Sequence, residues 1–226
     1  MRPDPFTVEI VRNALDCICE QMATTIERTA YSTLIRDILD FSTALFDGRG
    51  RIIAQGSRIP AHLNTMGPAL ETVLARHLPA AEWGEGDVVV LNDPYHGGQH
   101  LPDVFTLLPI FHDGALVAFA GVMGHQGDVG GRAPGSFGGD APEIYPEGLR
   151  SPPGKLYRAG RANTAGTRLS ASDATATTSE PAGTGRRASS RSRGEPGIIC
   201  QIAREKKPST SAPNRAAGVP RCGVPS

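Results

Sequence analysis

Two histidines and one aspartate stand at the two ends of a 26-residue segment that can fold back on itself. His100 and Asp103 precede an apolar run at residues 104–111, and His125 follows a second apolar run at residues 115–123. Two imidazoles and a carboxylate, with coordination positions left open, are typical of a catalytic rather than a structural metal site. These three residues are therefore candidate metal ligands.

The segment between these residues has the pattern of a β-hairpin. Two β-rich runs joined by Asp113-Gly114 predict a hairpin with a type I′ turn. With a regular register from that turn, His125 falls opposite Pro102, and the other two candidate ligands lie on either side of that position. Directly opposed side chains in an antiparallel pair are about 5 Å apart, so the three polar groups would converge at the open end of the hairpin.

This interpretation depends on the register of the hairpin. A slip of one residue would turn His125 to the other face of the sheet. The alternative to a metal site is that three polar residues cap two strands.

Two further carboxylates are candidates for catalytic support. Asp93 ends an apolar strand in an Asn-Asp-Pro turn signal, and it could orient a ligand imidazole. Asp128 lies three residues after His125, where it could serve as a similar acceptor or as a general base. His96, four residues before His100, could replace a ligand, although a solvated loop histidine is the favoured interpretation.

The other histidines and the glycines carry weaker signals. His112 lies in the predicted turn at the far end of the hairpin, and His62 and His77 flank a helix without evident polar company. The glycine-rich residues 127–139 predict either a mobile active-site loop or tight backbone beside the hairpin. They do not form a P-loop, because no Lys-Ser or Lys-Thr pair follows a G-x-x-x-x-G pattern.

The spacing of apolar residues predicts the elements that position these candidates. Apolar residues at helical spacing predict one helix over residues 5–28 and another over residues 63–78. Residues 42–47 and 51–55 predict a hairpin, and residues 88–91 predict an apolar strand. Together with the metal-site hairpin, this order predicts an α+β fold with an N-terminal helix and a mixed or antiparallel sheet.

Composition divides the 226-residue chain into two parts. Residues 161–226 hold 11 basic and 4 acidic residues, a net charge of +7, and the remainder carries −7. All six histidines and every Phe, Tyr and Trp lie in the first 160 residues. We therefore expect one folded domain over residues 1–160 and a disordered, low-complexity basic tail over residues 161–226.

Charge and hydropathy argue against two classes of partner. The arginines of the tail have neither aromatic neighbours for stacking nor a recognition motif, so we expect no specific binding to nucleic acid. No stretch approaches the roughly 20 apolar residues that span a bilayer. The N-terminus lacks the pattern of a signal peptide. These observations predict a cytoplasmic protein that does not bind membranes.

Several long segments between residue 4 and about residue 163 match a known family. The most diagnostic is LNDPYHGGQHLPD, and others are DPFTVEIVRNAL, LDFSTALFD, IPAHLNTM and APGSFGGDAPEIYPEGLRSPPGKLYRAG. The chain resembles the N-terminal part of the hydantoinase B/oxoprolinase family, which includes acetone carboxylase alpha subunits. Family members often carry a second histidine just before the last ligand, where this chain has Gly124.

The resemblance implies a metal and a reaction. Acetone carboxylase holds manganese through a His-x-x-Asp pair and a later histidine, and these positions fall on His100, Asp103 and His125. We therefore expect a divalent metal, Mn, Zn or Fe. The resemblance also implies ATP-dependent opening of a cyclic amide, with ATP bound by a separate hydantoinase A-type ATPase subunit. A carboxylase subunit and a non-catalytic fragment are the alternatives.

The resemblance is expected to stop after residue 160, although family members continue for several hundred residues. We hypothesise that the tail is a frameshift product, because GC-rich DNA read out of frame yields an excess of Arg, Ala, Ser, Pro, Gly and Thr. Reading the other two frames downstream of the Arg161 codon should restore family-like sequence. If neither frame does, the hypothesis is wrong.

Overall fold

The computed structural model describes residues 4–136 and 138–163, without the side chain of Leu63. The predicted α+β class is confirmed, and the sheet in the described residues is antiparallel throughout. In chain order the helices and strands are α1 (Pro5–Thr29), α2 (Thr33–Arg36), β1 (Phe41–Asp47), β2 (Ile52–Gln55), α3 (Pro60–Arg76), β3 (Val88–Leu91), β4 (Asp103–His112), β5 (Ala115–His125), β6 (Gly154–Arg158) and β7 (Arg161–Ala162). The strand order across the sheet is β2-β1-β5-β4-β3-β6-β7.

The two long helices cover opposite faces of this sheet. Side chains alternate between faces along a strand, so Ala44 and Phe46 of β1 pack in one cluster with Leu70 of α3. Phe41, of the opposite parity, packs in a second cluster with Ile26 of α1. Odd-numbered residues of β4, and those of β5 from Phe119 to its end, lie on the α3 face, as the burial of Phe105, Phe119 and Met123 in the α3 cluster shows.

Helix α1 begins as the sequence predicts but buries only its second half. Asp4 caps it by accepting a hydrogen bond from the Thr7 amide at 3.1 Å, and Pro5 occupies the first turn. Ile26 is buried against the sheet, whereas Val8 and Val11 of the predicted apolar face are 48% and 51% exposed. The first half of α1 therefore leaves apolar surface open in this chain.

The hairpin of β4 and β5 has the predicted turn. Asp113 and Gly114 have φ values of 48° and 75°, and a type I′ turn requires positive φ at both central residues. His112 pairs with Ala115 on either side of it.

The predicted register of this hairpin is wrong over most of its length. Phe111 pairs with Leu116, but Ile110 pairs with Ala118, so Val117 is an extra, bulged residue. Every pairing toward the open end shifts by one, and His125 lies opposite Asp103 instead of Pro102. Because directly opposed residues share a face, the bulge places His125 and Asp103 on the same side of the sheet.

Three elements were not predicted from the sequence, namely α2, β6 and β7. Strand β7 covers Arg161–Ala162, which are the first two residues of the predicted tail. The prediction of disorder from residue 164 onward falls outside the described residues. Within the described part of the chain, no helix is long and apolar enough to cross a membrane.

A buried ion pair fastens β6 to the turn before β3. Asp87 is 4% exposed, and one of its oxygens lies 2.6 Å from Nζ of Lys155 in β6. The same carboxylate accepts hydrogen bonds from the amides of Gly84 and Ala159. Burial by itself raises the pKa of Asp87, but the hydrogen bonds from Lys155, Ala159 and Gly84 outweigh it, so the pKa lies below its ordinary value.

We expect Asp87→Asn to lower the free energy of unfolding at neutral pH by about 1–3 kcal/mol, because Lys155 loses its buried partner. The pKa of Asp87 is lower in the folded than in the unfolded chain. Its contribution is therefore complete above the unfolded value of about 3.9 and is lost as the pH falls through the folded value. Urea unfolding followed by circular dichroism should show the difference between variant and wild type narrowing below about pH 4.

The control is Asp113→Asn, since the Asp113 side chain is 92% exposed and Asn suits the same turn. A stability difference for Asp87→Asn that is equal in acid and at neutral pH would contradict the assignment.

Candidate metal centre

The three candidate ligands meet at the open end of the β4–β5 hairpin. Nε2 of His100 lies 3.0 Å from Oδ1 of Asp103, and Nδ1 of His125 lies 3.1 Å from the same oxygen. The ring centroids of the two histidines are 5.0 Å apart. Among the described residues, these three side chains form a group that could hold a metal ion, because their possible ligand atoms all lie within 4.8 Å of one another.

The strand ends and one turn bring these side chains together. Asp103 is the first residue of β4 and His125 the last of β5, and they are paired. His100 precedes β4 in a turn in which the Asp103 amide donates to the His100 carbonyl at 3.2 Å. Leu101 is fully buried and anchors that turn. All three ligands therefore sit on the α3 side of the sheet.

The donor set fits a divalent metal ion. Ligand atoms about 2.0–2.2 Å from a metal, in tetrahedral or octahedral geometry, lie about 3.0–3.5 Å from each other. The two nitrogen-to-oxygen distances of 3.0 and 3.1 Å fall in that range, whereas the whole set of ligand atoms spreads over up to 4.8 Å, so the two imidazoles would move closer together around an ion. Two imidazoles and one carboxylate suit Mn, Zn or Fe and leave positions free for a substrate.

The centre is buried on one side and open on the other. The side chain of Asp103 is 1% exposed and that of His125 is 14% exposed, whereas that of His100 is 34% exposed. The centre is therefore most accessible to solvent from the side of His100.

Asn92 fixes the turn that carries His100. Its Nδ2 donates to the carbonyls of Leu101 and Leu149, at 2.7 and 2.8 Å, and its Oδ1 accepts from the Ser151 amide at 2.6 Å. Asn92 is 3% exposed, so one buried amide ties together three separate segments. The sequence interpretation had treated Asn92 only as part of a turn signal.

Asp93 lies next to this turn but points to other partners. Oδ1 accepts from the Tyr95 amide at 3.0 Å, while Oδ2 lies 2.9 Å from Nδ1 of His96 and 3.6 Å from Nε of Arg150. The side chain of Asp93 is 2% exposed. The imidazole nearest to Asp93 is thus that of His96, which is outside the candidate ligand set and whose Nδ1 is buried without a hydrogen bond among the described residues.

Asp128 organises the glycine-rich loop after β5. Its carboxylate accepts hydrogen bonds from the amides of Gly130 and Gly135 and from the hydroxyl of Ser136, at 2.8–3.1 Å. The Gly135 amide is the main cause that lowers the pKa of Asp128, burial opposes it, and Gly130 and Ser136 add to the lowering. A carboxylate with a lowered pKa is a weaker proton acceptor.

The sequence interpretation missed two residues near the centre, His62 and Asp40. It had described His62 as lacking polar neighbours. Nε2 of His62, in the first turn of α3, lies 3.4 Å from Oδ1 of Asp40, and Nδ1 lies 3.3 Å from Oγ of Ser42. Oδ2 of Asp40 is 4.0 Å from Nδ1 of His125. Burial lowers the pKa of His62 below its ordinary value, while the carboxylates of Asp103 and Asp40 oppose that shift.

The remaining histidines lie away from the ligand set. The side chain of His112 is 78% exposed at the turn end of the hairpin. His77, just after α3, packs its ring edge-on against His96 with centroids 4.4 Å apart.

Comparison with known proteins gives the family. The family model for hydantoinase B/oxoprolinase matches residues 4–188, so the chain belongs to that family. This match extends beyond residue 160, where the resemblance was expected to stop. The match to the family model confirms the resemblance that the sequence motifs indicated.

Its relatives include two longer proteins, one named as a caprolactamase subunit and one as a 5-oxoprolinase. Caprolactamase subunit beta of Pseudomonas jessenii is 40% identical over 158 residues, covering 70% of this chain and 27% of the relative. The 5-oxoprolinase of Dictyostelium discoideum is 38% identical over 145 residues, covering 64% of this chain and 11% of the relative. The chain thus spans less than a third of the length of either relative.

Solved structures show the same fold. The crystal structure of the ATP-dependent caprolactamase from Pseudomonas jessenii matches with a TM-score of 0.65 and 37% identity, over 75% of this chain and 29% of that one. A nucleotide-free acetone carboxylase matches with a TM-score of 0.68 and 21% identity, over 74% of this chain and 22% of that one. The second likeness shows the fold alone.

We expect Gly97→Ala to disturb the loop that precedes His100. Gly97 has a φ of 106°, and an added Cβ would lie 2.5 Å from Cα of Ala69 in α3. Because both the backbone conformation and the helix contact exclude a side chain, the free energy of unfolding should fall by about 1–3 kcal/mol. Chemical unfolding measures this loss, and the affinity for metal should fall with it.

Gly139→Ala is the matched control, since nothing lies within 4 Å of a Cβ added there. Its effect should stay within about 0.5 kcal/mol. Equal stabilities for the two variants would show that the contact between Gly97 and Ala69 does not constrain the loop.

Proposed function

We propose that this chain supplies the metal-bearing part of an ATP-dependent hydrolase that opens a cyclic amide. The observation that carries the proposal is the convergence of His100 and His125 on one buried oxygen of Asp103. Membership of the hydantoinase B/oxoprolinase family supports the reaction class. The relatives named for caprolactam and 5-oxoproline act on cyclic amides, and the caprolactamase is ATP-dependent.

The residues of the centre suit the polarisation of an amide carbonyl. His100, Asp103 and His125 would hold the ion, and with two neutral imidazoles they offer it one negative charge. When bound, a divalent cation supplies Lewis-acid polarisation of the substrate carbonyl. The greater exposure of His100 leaves that side open for the ring of the substrate.

The two further carboxylates have supporting roles in this proposal. Asp93 fixes the short turn at Pro94–His96 that leads into His100. Asp128 holds the glycine-rich loop that follows His125 in a defined shape. Neither needs to exchange a proton with the substrate to perform these roles.

ATP would be used by a partner. The 226 residues contain no G-x-x-x-x-G-K-[ST] pattern, and the relative from Pseudomonas jessenii is named as one subunit of its enzyme. We propose a hydantoinase A-type ATPase subunit as that partner. It would activate the cyclic amide with ATP, while the centre described above completes ring opening.

We expect the purified chain to bind about one Mn, Zn or Fe ion, measured by elemental analysis after loading and desalting. His125→Ala should lose that ion, because two ligands hold a divalent metal far more weakly than three. His112→Ala is the matched control, since that imidazole is exposed at the far end of the same hairpin. Circular dichroism checks that both variants fold.

A reconstitution tests the reaction itself. The chain mixed with a hydantoinase A-type subunit, ATP and a cyclic amide such as caprolactam should form ring-opened product that depends on His125. Absence of bound metal in the folded chain would contradict the proposal and favour a non-catalytic fragment. Bound metal with ATP-dependent fixation of carbon dioxide, and no ring opening, would favour a carboxylase subunit.

A further inference from the structure

We propose that the outer edge of β2 is a docking surface for an extended, basic segment of a partner protein, which adds to the sheet as a further strand. Strand β2 stands at one end of the sheet order, so no described strand pairs with its outer edge. The inference goes beyond the proposed function and does not depend on the metal centre. It is carried by a groove, by an outward backbone amide and by an acidic helix face.

An open groove of about 710 Å³ lies along this edge. Its lining comes from β2, from the residues that follow β2 and from one side of α1. Ile53 of β2 is 43% exposed. The four residues of β2 include no charge and no proline, which are two of the means by which exposed strand edges resist pairing. A short segment can therefore pair here.

The backbone of Gln55 offers its hydrogen-bonding groups to the groove. The amide of Gly56 donates to the carbonyl of Thr43 in β1 at 2.9 Å, and Gln55 stands opposite Ala44. Because the N–H groups of successive residues in a strand point to opposite sides, the amide of Gln55 points away from β1. An added strand gains its main-chain hydrogen bonds from such an edge.

Hydrogen bonds hold the walls of the groove in place. The hydroxyl of Thr43 donates to the carbonyl of Cys19 at 3.0 Å, which ties α1 to β1. One carboxylate oxygen of Glu20 accepts from the Ser57 amide at 2.6 Å, and the other lies 3.2 Å from Nη1 of Arg58. The groove is thus formed before a partner binds, which lowers the entropic cost of docking.

The charge of the α1 wall favours a basic segment. Four carboxylates spaced by seven, four and seven residues share one side of this helix, namely Glu9, Asp16, Glu20 and Glu27. Arg12 and Arg58 stand beside them, which leaves an excess of two negative charges. Arg58 lies 3.2 Å from Glu20 and 3.6 Å from Glu27, whereas Asp16 forms no ion pair with another described residue. The carboxylate of Asp16 is therefore the one that an incoming cation would meet.

The two faces of β2 determine the side-chain pattern of the segment. Ala54 packs with Cys19 of α1, whereas Ile52 packs against the α3 cluster. In an added strand, every second side chain would lie beside the carboxylates of α1, and the others would lie on the side of Ile52. The surface therefore fits a segment in which basic and apolar residues alternate.

An NMR titration of the ¹⁵N-labelled full chain with a peptide of four Lys-Val repeats tests this proposal. We expect the Gln55 amide signal to shift and its hydrogen exchange to slow as the peptide is added, because the amide gains a partner. A peptide with the same residues in two blocks, four Lys and then four Val, should bind more weakly. A peptide of four Glu-Val repeats should not bind.

Two variants separate the contributions of charge and backbone. Asp16→Lys should weaken binding of the Lys-Val peptide by about 2- to 10-fold, the range for an exposed charge pair. Asp140→Lys is its control, because that side chain is 82% exposed and does not line the groove. Gln55→Pro should weaken binding by about tenfold through loss of the outward donor, since edge strands accept proline where the N–H faces outward. Gln55→Thr keeps the amide and should bind as the wild type does.

Circular dichroism checks the folding of each variant, and the Gln55 signal with Asp16→Lys decides the matter if Gln55→Pro does not fold. An unchanged Gln55 amide, equal binding of the block peptide, or indifference to Asp16→Lys would overturn the inference. Protection of the Gln55 amide before any peptide is added would overturn it as well. Protection that rises with protein concentration would then assign the edge to a second copy, and constant protection would assign it to a segment of the same chain.

Discussion

The geometry of the centre depends on one carboxylate that is removed from water. Asp103 is 1% exposed, and a single oxygen of it faces two imidazole nitrogens at 3.0 and 3.1 Å. A buried negative charge is unfavourable unless protons or a cation share it. The turn at His100, the end of β5 and the buried amide of Asn92 all serve to bring such partners to that oxygen. The surrounding structure thus supplies the partners that a buried carboxylate at position 103 needs.

The alternation of side chains between the two faces of the sheet determines which residues can contribute to the candidate centre. Asp103 and His125 share a parity with Phe105 and Met123, whose side chains pack under α3. The same side of the sheet therefore receives His62 from the first turn of α3. The opposite face is covered by α1, which contributes no group to the centre. The α3 face thus carries both the candidate centre and the larger apolar cluster, whereas the α1 face carries packing residues.

The elements with strong periodicity were predicted well, because local pattern determines them. Strand β3 has the predicted bounds, and both long helices lie where apolar spacing places them. The bulge at Val117 was missed, although Pro109 stands in β4 beside the register shift and a proline inside a strand is a signal for a bulge. The candidate ligands were still singled out because they were chosen by residue type at the two ends of the hairpin, and not by their exact pairing.

Contacts that are distant in sequence account for what was missed. His62 is separated from Ser42 by 20 residues, and no pattern around it indicates that β1 will pass beneath α3. Strand β6 pairs with β3 from far along the chain, so its short apolar content gave no local signal. Asp93 and Asp128 were predicted as supporting carboxylates, and the partners that they have in the structure depend on loops whose shapes only the folded chain defines.

The bulged residue ties the geometry of the candidate centre to the length of the hairpin. Between the turn and the open end, the two strands must differ by one residue for the imidazole at the end of β5 to share a face with Asp103. Insertions and deletions in either strand should accordingly be tolerated only in compensating pairs. Comparison of gap positions among homologous genes would therefore carry information on whether the proposed metal site survives, even where every candidate ligand is retained.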